Sequence, residues 1–336
     1  MPVGLACNAD DVLSIAVLCG GSSPEREVSL AGGKRIADAL GRLGHRAAVV
    51  DLNRESAHQL LAMAPDLVYN ALHGGQGEDG CASGLLDILG LAYTHSRVAA
   101  SSVGMDKVLT KHVLKSLGID FPEFSVLTKE EVLSAKEVMP YPFVIKPICG
   151  GSTIGVHAIF SRSEYLDLSV HADALEGRML VEEYIPGQEV HTAVFLGRAI
   201  GTMEFLFEGR VYGYDAKYVE GLCRHVFPAN LSDDVYSLTM EWAVKLYQCL
   251  GCRTVSRVDF RYDKANKALK LLEINTHPGM TACSALPEIL WLRCGLDFDQ
   301  VVDFIVKDAL CGDDSCREHV DALMKRRPAY VQECHG

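Results

Sequence analysis

The chain has 336 residues, of which 49% are hydrophobic, and its formal net charge at pH 7 is −12. This length is enough for two or three domains with buried cores. The negative charge argues against nucleic acid or an anionic membrane as a partner, although local groups can still bind a small anion such as a nucleotide. No apolar run approaches the roughly 20 residues of a membrane span. Residues 1–13 lack the pattern of a signal peptide, so we expect none.

Twelve cysteines are scattered along the chain, and Cys249 and Cys252 form the one CxxC pair. A structural zinc site would need a second pair, so we expect neither a metal nor a redox role for this one. Scattered, unpaired cysteines are typical of reducing compartments. We therefore expect a cytoplasmic protein.

The first hundred residues alternate between apolar runs and helical patterns. Strands are predicted at residues 14–18, 47–52 and 66–74, with helices between them. This order predicts a parallel sheet with helices on both faces and a ligand site beyond the carboxyl ends of its strands. Glu25 and His73 follow the first and third strands, although each alone is compatible with a surface loop. The glycines do not match GxGxxG, which argues against a dinucleotide-dependent oxidoreductase.

A glycine-rich segment, VIKPICGGSTIGV, lies between two predicted strands in the middle of the chain. Lys146 precedes its glycines, whereas the lysine of a Walker A loop follows them. Backbone N–H groups of the glycines, with the hydroxyls of Ser152 and Thr153, would cover a phosphate from a hairpin loop. An ordinary long hairpin turn is the alternative.

Three further segments carry weaker signals. A single helix is predicted over residues 101–119, and Lys107 near its start would normally be solvated. Residues 179–190 predict a strand that enters a Pro-Gly turn, where backbone groups can meet an adenine and Glu189 a ribose. Residues 207–234 are polar and lack a sustained period, which indicates a functional loop or lid.

Two apolar runs, residues 254–262 and 268–275, predict a β-hairpin. A period of two places residues on common faces as follows: Arg257, Asp259 and Arg261 in the first run, and Leu269, Leu271, Glu273 and Asn275 in the second. A register with an even residue sum brings Asp259 next to Glu273. Two carboxylates and an amide oxygen suit Mg²⁺, whereas a solvated hairpin face is the alternative. The Pro-Gly turn that follows favours the metal site.

These motifs, in this order, resemble the D-alanine–D-alanine ligase family of the ATP-grasp superfamily over residues 14–310. The matching segments are GGSSPEREVSL, LHGGQGEDG, VGMDK, VIKPICGGSTIGV, YDAKY, SRVDF and LLEINTHPGMT. The resemblance implies an α/β fold with an N-terminal parallel-sheet domain, called pre-ATP-grasp, over residues 1–102. A two-part ATP-grasp fold with antiparallel sheets follows, with a central subdomain (103–185), a C-terminal subdomain (186–312) and a tail (313–336).

The resemblance also assigns contacts with ATP and metal. It assigns phosphates to Lys107, Lys146, Gly151, Ser152 and Thr153, adenine to Glu182, Glu183 and Ile185, and ribose to Glu189. Two Mg²⁺ or Mn²⁺ ions are assigned to Asp259, Glu273 and Asn275. Two positions depart from the usual pattern, because Glu183 stands where many relatives have lysine and Thr153 stands where serine is usual.

The remaining assignments concern the amino-acid substrates. Glu25 and His73 would line the first D-alanine site, Arg257 and the Gly279 backbone the oxyanion site, and Ser284 and Ala285 the second D-alanine site. A hydrogen-bonded pair, Ser152 and Tyr218, would link Glu25 to the lid, and the pair Lys217–Tyr218 points to D-alanine rather than D-lactate as acceptor. His277 and Ala285 depart from the common pattern in the acceptor wall.

The implied activity is ATP-dependent ligation of two D-alanine molecules through a D-alanyl phosphate, releasing ADP and phosphate. The implied setting is peptidoglycan precursor synthesis by a homodimer in a bacterial cytoplasm. One alternative is a D-alanine–D-lactate ligase or another carboxylate–amine ligase of the superfamily. A catalytically silent nucleotide-binding protein is the other alternative, and it is disfavoured because both phosphate lysines and all three metal ligands are present.

Overall fold

The computed structural model describes residues 12–135, 137–170, 177–213, 219, 221–311, 314–326 and 332–335. The N-terminal part forms a parallel sheet in the order β2-β1-β3, with helices packed against it, as predicted. Its strands are β1 (Ser14–Cys19), β2 (Arg46–Asp51) and β3 (Leu67–Asn70), and its helices are α1 (Arg26–Arg42), α2 (Ser56–Met63) and α3 (Cys81–Leu89). A 3-10 turn, Gly75–Gly77, follows β3.

The central part is an antiparallel sheet in the order β4-β7-β5-β6. Its strands are β4 (Phe124–Thr128), β5 (Phe143–Pro147), β6 (His157–Ile159) and β7 (Arg178–Glu183). The helices around it are α4 (Val98–Met105), α5 (Lys107–Leu117), α6 (Lys129–Ser134) and α7 (Arg162–Val170).

The single helix predicted over residues 101–119 is wrong, because α4 and α5 are separate helices that meet at Asp106. The ψ angle of Asp106 is 105°, which is outside the helical region, and its carboxylate accepts hydrogen bonds from the N–H groups of Val108 and Leu109. A carboxylate that caps a helix N-terminus in this way stabilises the new start. Lys107 consequently becomes the first residue of α5, and it is buried rather than solvated.

The C-terminal part contains an antiparallel sheet in the order β12-β11-β8-β9-β10-β13. Its strands are β8 (Gln188–Phe195), β9 (Arg198–Phe207), β10 (Cys223–Phe227), β11 (Val255–Asp263), β12 (Ala268–Asn275) and β13 (Gln332–His335). Its helices are α8 (Asp233–Leu250), α9 (Ala285–Cys294), α10 (Phe298–Cys311) and α11 (Asp314–Arg326).

Strand β10 corrects the prediction that residues 207–234 form a loop throughout. Cys223, His225 and Phe227 are buried, whereas Arg224 is exposed and Val226 is half-buried. This alternation is the period of a strand with one buried face. The tail contributes β13 to the same sheet, so it belongs structurally to the C-terminal part.

The hairpin β11–β12 has the predicted register at its open end, where Arg257 lies opposite Asn275 and Asp259 opposite Glu273. A bulge follows, because Phe260 pairs with Leu271 and leaves Leu272 as the extra residue. An extra residue reverses the alternation of faces. The prediction that Leu269 and Leu271 share a face with Glu273 and Asn275 is therefore wrong: both leucines are buried in the core, and Leu272 lines a cleft beside Glu273.

One core cluster joins the N-terminal sheet to the C-terminal sheet and its helices. It contains Val17 of β1, Ile36 of α1, Phe195 of β8, Ile289 of α9 and Ile305 of α10, all of them buried. The central sheet has a separate small core. Within the described ranges, no helix has both the length and the apolar character that crossing a membrane requires. Cys249 and Cys252 carry free thiols.

Candidate active site

Two clefts meet where the three sheets approach one another. The first, with about 840 Å³ of empty space, is lined by most of the residues predicted to bind nucleotide and metal: Lys107, Lys146, Gly151, Thr153, Glu182, Glu183, Ile185, Glu189, Asp259 and Glu273. The second, with about 760 Å³, is lined by the residues predicted to bind substrate, namely Glu25, His73, Arg257, Gly279, Ser284 and Ala285. Ser152 and Asn275, predicted to bind nucleotide and metal, line this second cleft as well. Gly151, Tyr212 and Glu273 line both clefts. Sequence reasoning brought these residues to one region but did not identify Tyr212.

The glycine loop between β5 and β6 lies over the junction of the clefts. The Ser152 hydroxyl donates a hydrogen bond to the Glu25 carboxylate, and the Thr153 hydroxyl donates to the Tyr212 carbonyl at 2.6 Å. Ser152 and Thr153 have φ angles of 50° and 62°, in the left-handed region that non-glycine residues seldom adopt. These two side-chain bonds help to hold the loop in this conformation.

Lys107 connects the glycine loop with the hairpin β11–β12. Its Nζ donates to the Gly150 carbonyl at 2.7 Å and lies 3.4 Å from Oε2 of Glu273. The start of α5 therefore places an ammonium group between the loop and the predicted metal-binding carboxylate. Such a group can neutralise part of the charge on a phosphate bound under the loop.

Glu25 lies in a narrow space between two glycines. A Cβ atom at Gly74 would collide with its carboxylate, and one at Gly151 would come within 3.0 Å of it. Gly74 also has a φ of 66°, a conformation that glycine adopts without strain. Close approach of the backbone on both sides fixes this buried carboxylate at the edge of the second cleft.

His73 also faces the second cleft, and its Nδ1 lies 3.3 Å from Oε1 of Glu78, which lines that cleft too. Sequence reasoning did not single out Glu78, although it belongs to the LHGGQGEDG motif. The partner orients the imidazole, because a ring nitrogen bonded to a carboxylate fixes the direction of the other nitrogen.

Glu182 is buried between two lysines. Its carboxylate forms ion pairs with Lys146 and with Lys111, whose Nζ is 3.0 Å from Oε2. Burial alone would raise the pKa of Glu182, but the two ammonium groups hold that pKa below its usual value. Sequence reasoning missed Lys111. A spacing of four residues from Lys107 on a predicted helix places both lysines on one face, and this was the signal available.

Glu189 and Ile185 share one partner, Arg261. The guanidinium donates to Oε2 of Glu189 and to the Ile185 carbonyl, both at 3.0 Å. Burial would raise the pKa of Glu189, but hydrogen bonding from His191 and the nearby Arg261 lower it. The Glu183 carboxylate, where many relatives have lysine, accepts a hydrogen bond from the backbone N–H of Glu123 at 3.1 Å.

The predicted metal-binding residues form an all-oxygen set at the open end of the hairpin. Arg257 donates two hydrogen bonds to Asp259, at 2.7 and 2.8 Å, and Oδ1 of Asn275 accepts one from the backbone N–H of His277 at 2.7 Å. In the part of the chain that the structure describes, no group of three or more His, Cys, Asp or Glu residues could hold a metal by itself. Two carboxylates and an amide nevertheless fit Mg²⁺, which is usually held by one or two carboxylates together with substrate phosphates and water.

The turn after the hairpin brings Gly279 against Ser284. A Cβ atom at Gly279 would lie 2.7 Å from Oγ of Ser284, so a larger residue there would displace the serine. That oxygen accepts a hydrogen bond from the Thr281 N–H at 3.0 Å, and Ala285 begins α9 as a buried residue. Lys217 and Tyr218 lie outside the described residues, so their roles in the lid and in acceptor choice stay predictions.

Comparisons with known proteins agree with this architecture. The family described as "D-ala D-ala ligase C-terminus" matches residues 113–307. A D-alanine–D-alanine ligase of Anaplasma marginale (strain Florida) is 79% identical over 98% of this chain and 100% of its own length. The ligase of Wolbachia pipientis subsp. Culex pipiens (strain wPip) is 50% identical over 89% of this chain and 94% of its own.

A solved structure supports the same assignment. The Bacillus anthracis D-alanine–D-alanine ligase complexed with ATP superposes with a TM-score of 0.73 at 25% identity, over 92% of this chain and 99% of its own. Together with the two similar sequences, this agreement extends over nearly the whole chain. The chain therefore belongs to the D-alanine–D-alanine ligase family.

Proposed function

We propose that this chain ligates two D-alanine molecules to D-alanyl-D-alanine and converts ATP to ADP and phosphate in the same reaction. The observation that carries the proposal is the junction of the two clefts at Gly151, Tyr212 and Glu273. A nucleotide in the first cleft would direct its terminal phosphate towards a carboxylate in the second. The relatives and the solved structure described above are named as ligases of this kind, which supports the same reaction here.

In the first step, a carboxylate oxygen of one D-alanine attacks the γ-phosphorus of ATP. The bond to the bridging oxygen breaks, which yields D-alanyl phosphate and ADP. Lys107 and Lys146 would neutralise charge on the transferred group, since both line the first cleft. Glu25 is a buried carboxylate in the second cleft and would hold the ammonium group of this D-alanine.

In the second step, the amine of the other D-alanine attacks the carbonyl carbon of the acyl phosphate. The carbon–oxygen bond to phosphate then breaks, the nitrogen loses a proton, and the dipeptide and phosphate leave. Arg257 and the Gly279 N–H would stabilise the oxyanion that forms between attack and departure. Ser284 would bind the carboxylate of the acceptor.

Asp259, Glu273 and Asn275 would hold Mg²⁺ or Mn²⁺, whose positive charge assists phosphoryl transfer when it is bound. Each of the two carboxylates already has a cationic neighbour, because Arg257 pairs with Asp259 and Lys107 pairs with Glu273. We also propose domain limits at 1–102, 103–185 and 186–312 with the tail 313–336, a homodimer, and a role in peptidoglycan precursor synthesis in a bacterial cytoplasm.

Phosphate release from ATP with Mg²⁺ tests the proposal when it is measured with D-alanine, L-alanine and D-lactate as separate substrates. We expect release with D-alanine alone, and mass analysis should identify the dipeptide as the product. The variant Lys115→Met, which changes an exposed lysine of α5, is the matched control and should behave as the wild type. An absence of release with D-alanine would remove the proposed function.

A further inference from the structure

Helix α5 delivers two lysines to the nucleotide side of the site, one turn apart. Lys107 faces the first cleft, whereas Lys111 is not among the described residues that line either cleft. Lys111 is fully buried, and its Nζ lies 3.0 Å from Oε2 of Glu182. The other carboxylate oxygen of Glu182 pairs with Lys146, which does line the cleft. Among the described residues, Lys111 therefore contacts the lining of the nucleotide cleft through Glu182.

The ammonium group of Lys111 is withdrawn from water and faces two phenylalanine rings and a carbonyl, each of which attracts a cation. Its Nζ lies 5.2 Å and 5.5 Å from the ring centroids of Phe121 and Phe124, and 3.4 Å from the Pro122 carbonyl. Burial lowers the pKa of Lys111, and the nearby Glu182 carboxylate opposes that effect. A buried ammonium group costs several kcal/mol unless it is paired, and a leucine or methionine would fill the same space without that cost.

The charge balance around Glu182 indicates what this lysine does. One carboxylate and Lys146 alone would form a neutral pair, and the field of Lys146 at the cleft would be largely cancelled. With Lys111 behind the carboxylate, the group of Lys111, Glu182 and Lys146 carries one net positive charge. Glu182 and Lys146 both line the cleft and Lys111 lies behind them, so this net positive charge acts on a nucleotide in the cleft.

We propose that Lys111 is a positioning residue, which neutralises Glu182 from behind the cleft and so leaves the charge of Lys146 available for the phosphates of ATP. The inference rests on the proposed function only for the identity of the nucleotide, since it concerns the binding of phosphate groups and not the acceptor. Two lysines and one carboxylate thus act as a unit, to which Lys111 contributes without touching the substrate.

The variant Lys111→Met tests this by calorimetric titration with ATP and, separately, with adenosine, in the absence of D-alanine. We expect ATP to bind about tenfold or more weakly, because its phosphates are negatively charged and interact with Lys146. Adenosine is neutral, so its affinity should stay within about twofold of the wild type. Lys111→Arg keeps the charge and should retain most of the affinity for ATP. The exposed Lys115→Met on the same helix is the control and should leave both affinities unchanged.

The double variant K111M/E182Q tests whether Lys111 acts through Glu182. We expect it to bind ATP as tightly as E182Q alone, because the neutral amide no longer competes for Lys146. Should K111M fail to fold, this comparison decides the matter by itself. Wild-type affinity for ATP in K111M, equal losses for ATP and adenosine, or a double variant weaker than E182Q would each overturn the inference. Because no D-alanine is present, failure of the ligase reaction would not affect any of these results.

Discussion

Two buried polar groups flank the clefts, and they accommodate charge in opposite ways. On the nucleotide side, the carboxylate of Glu182 lies between the ammonium groups of Lys111 and Lys146. On the substrate side, the imidazole rings of His95 and His277 stack with centroids 5.1 Å apart, and each Nδ1 meets the hydroxyl of the preceding threonine. Burial lowers the pKa of His277 to about 4, and the pKa of His95 also falls well below its usual value. Lys111, Glu182 and Lys146 are thus charged and paired, whereas the stack of His95 and His277 is neutral.

The difference predicts how each group fails. Removing one partner of a buried ion pair destabilises the fold, because the remaining charge is then buried without compensation. A neutral stack tolerates neighbouring changes but is disrupted when acid protonates it. We therefore expect substitutions to destabilise the ion pairs on the nucleotide side, and acid pH to destabilise the histidine stack on the substrate side.

The largest effect is expected from Lys146→Met, because Lys146 is the one of the two lysines paired with Glu182 that lines the first cleft. Turnover should fall about 100-fold or more, the usual loss when one group that stabilises transition-state charge is removed. Stability should change little, because Glu182 keeps its pair with Lys111. Steady-state kinetics and thermal melting measure the two effects, and near-normal turnover would contradict the role of Lys146.

Glu182→Leu removes the centre of the group and leaves Lys111 buried without its carboxylate. The free energy of unfolding should fall by about 3–5 kcal/mol, as for other broken buried ion pairs. Urea unfolding at pH 7 measures this loss. Adding Lys111→Met to the same chain should restore part of it, and a double variant less stable than Glu182→Leu would show that Lys111 is not compensated by Glu182.

His225 sharpens the comparison, because this buried histidine keeps its charge by pairing. Its Nδ1 lies 2.6 Å from Oε2 of Glu288. Burial alone would lower the pKa of His225, but hydrogen bonds to Cys223 and Glu288 raise it to about 9. The folded-state pKa exceeds the unfolded one, so this stabilisation is complete below pH 6.5 and is lost as pH rises through 9.

The contribution of His225 amounts to about 3 kcal/mol at most, at 1.36 kcal/mol for each unit of pKa. Urea unfolding of the wild type and of Glu288→Gln between pH 6 and pH 10 measures it. The variant should lose stability at pH 6 and approach the wild type near pH 10. Parallel pH profiles of the two proteins would exclude the pair as the cause.

The smallest effect is expected from the histidine stack, through His95. Its folded-state pKa lies below the unfolded value, so its stabilisation is present above pH 6.5 and decreases as pH falls. His95→Phe keeps a ring against His277 and cannot be protonated. The decline of unfolding free energy between pH 7 and pH 5 should be shallower in this variant than in the wild type, and an equal or steeper decline would contradict a neutral stack.

The hairpin illustrates what was predicted from sequence and what was missed. The position of Asp259 opposite Glu273 followed from a period of two and an even residue sum, and the structure confirms it. The bulge at Leu272 was missed, although the apolar pattern shifts its phase there: Leu269 and Leu271 are buried, and the next buried residue of the strand is Ile274, three positions on. The bulge moves Leu269 and Leu271 into the core while Glu273 stays at the cleft.

The nucleotide side shows a different limit. The glycine loop and its lysine were recognisable as local segments, but the partners of Glu182 come from α5 and β5 and meet only in the folded chain. Similarly, α4 ends before Asp106 and α5 begins after it, and the spacing of hydrophobic residues does not reveal this N-cap. Contacts between distant segments, and the break between two adjacent helices, could therefore be identified only from the structure.

The central claim, ligation through an acyl phosphate, is tested most directly with D-alanine labelled with ¹⁸O in both carboxylate oxygens. Attack of that carboxylate on the γ-phosphorus, followed by cleavage of the carbon–oxygen bond, transfers one labelled oxygen to phosphate. Mass analysis of the phosphate released with ATP and Mg²⁺ should find one ¹⁸O atom in each molecule that accompanies a dipeptide. Dipeptide formed together with unlabelled phosphate would contradict the account, because the carboxylate would not have been phosphorylated.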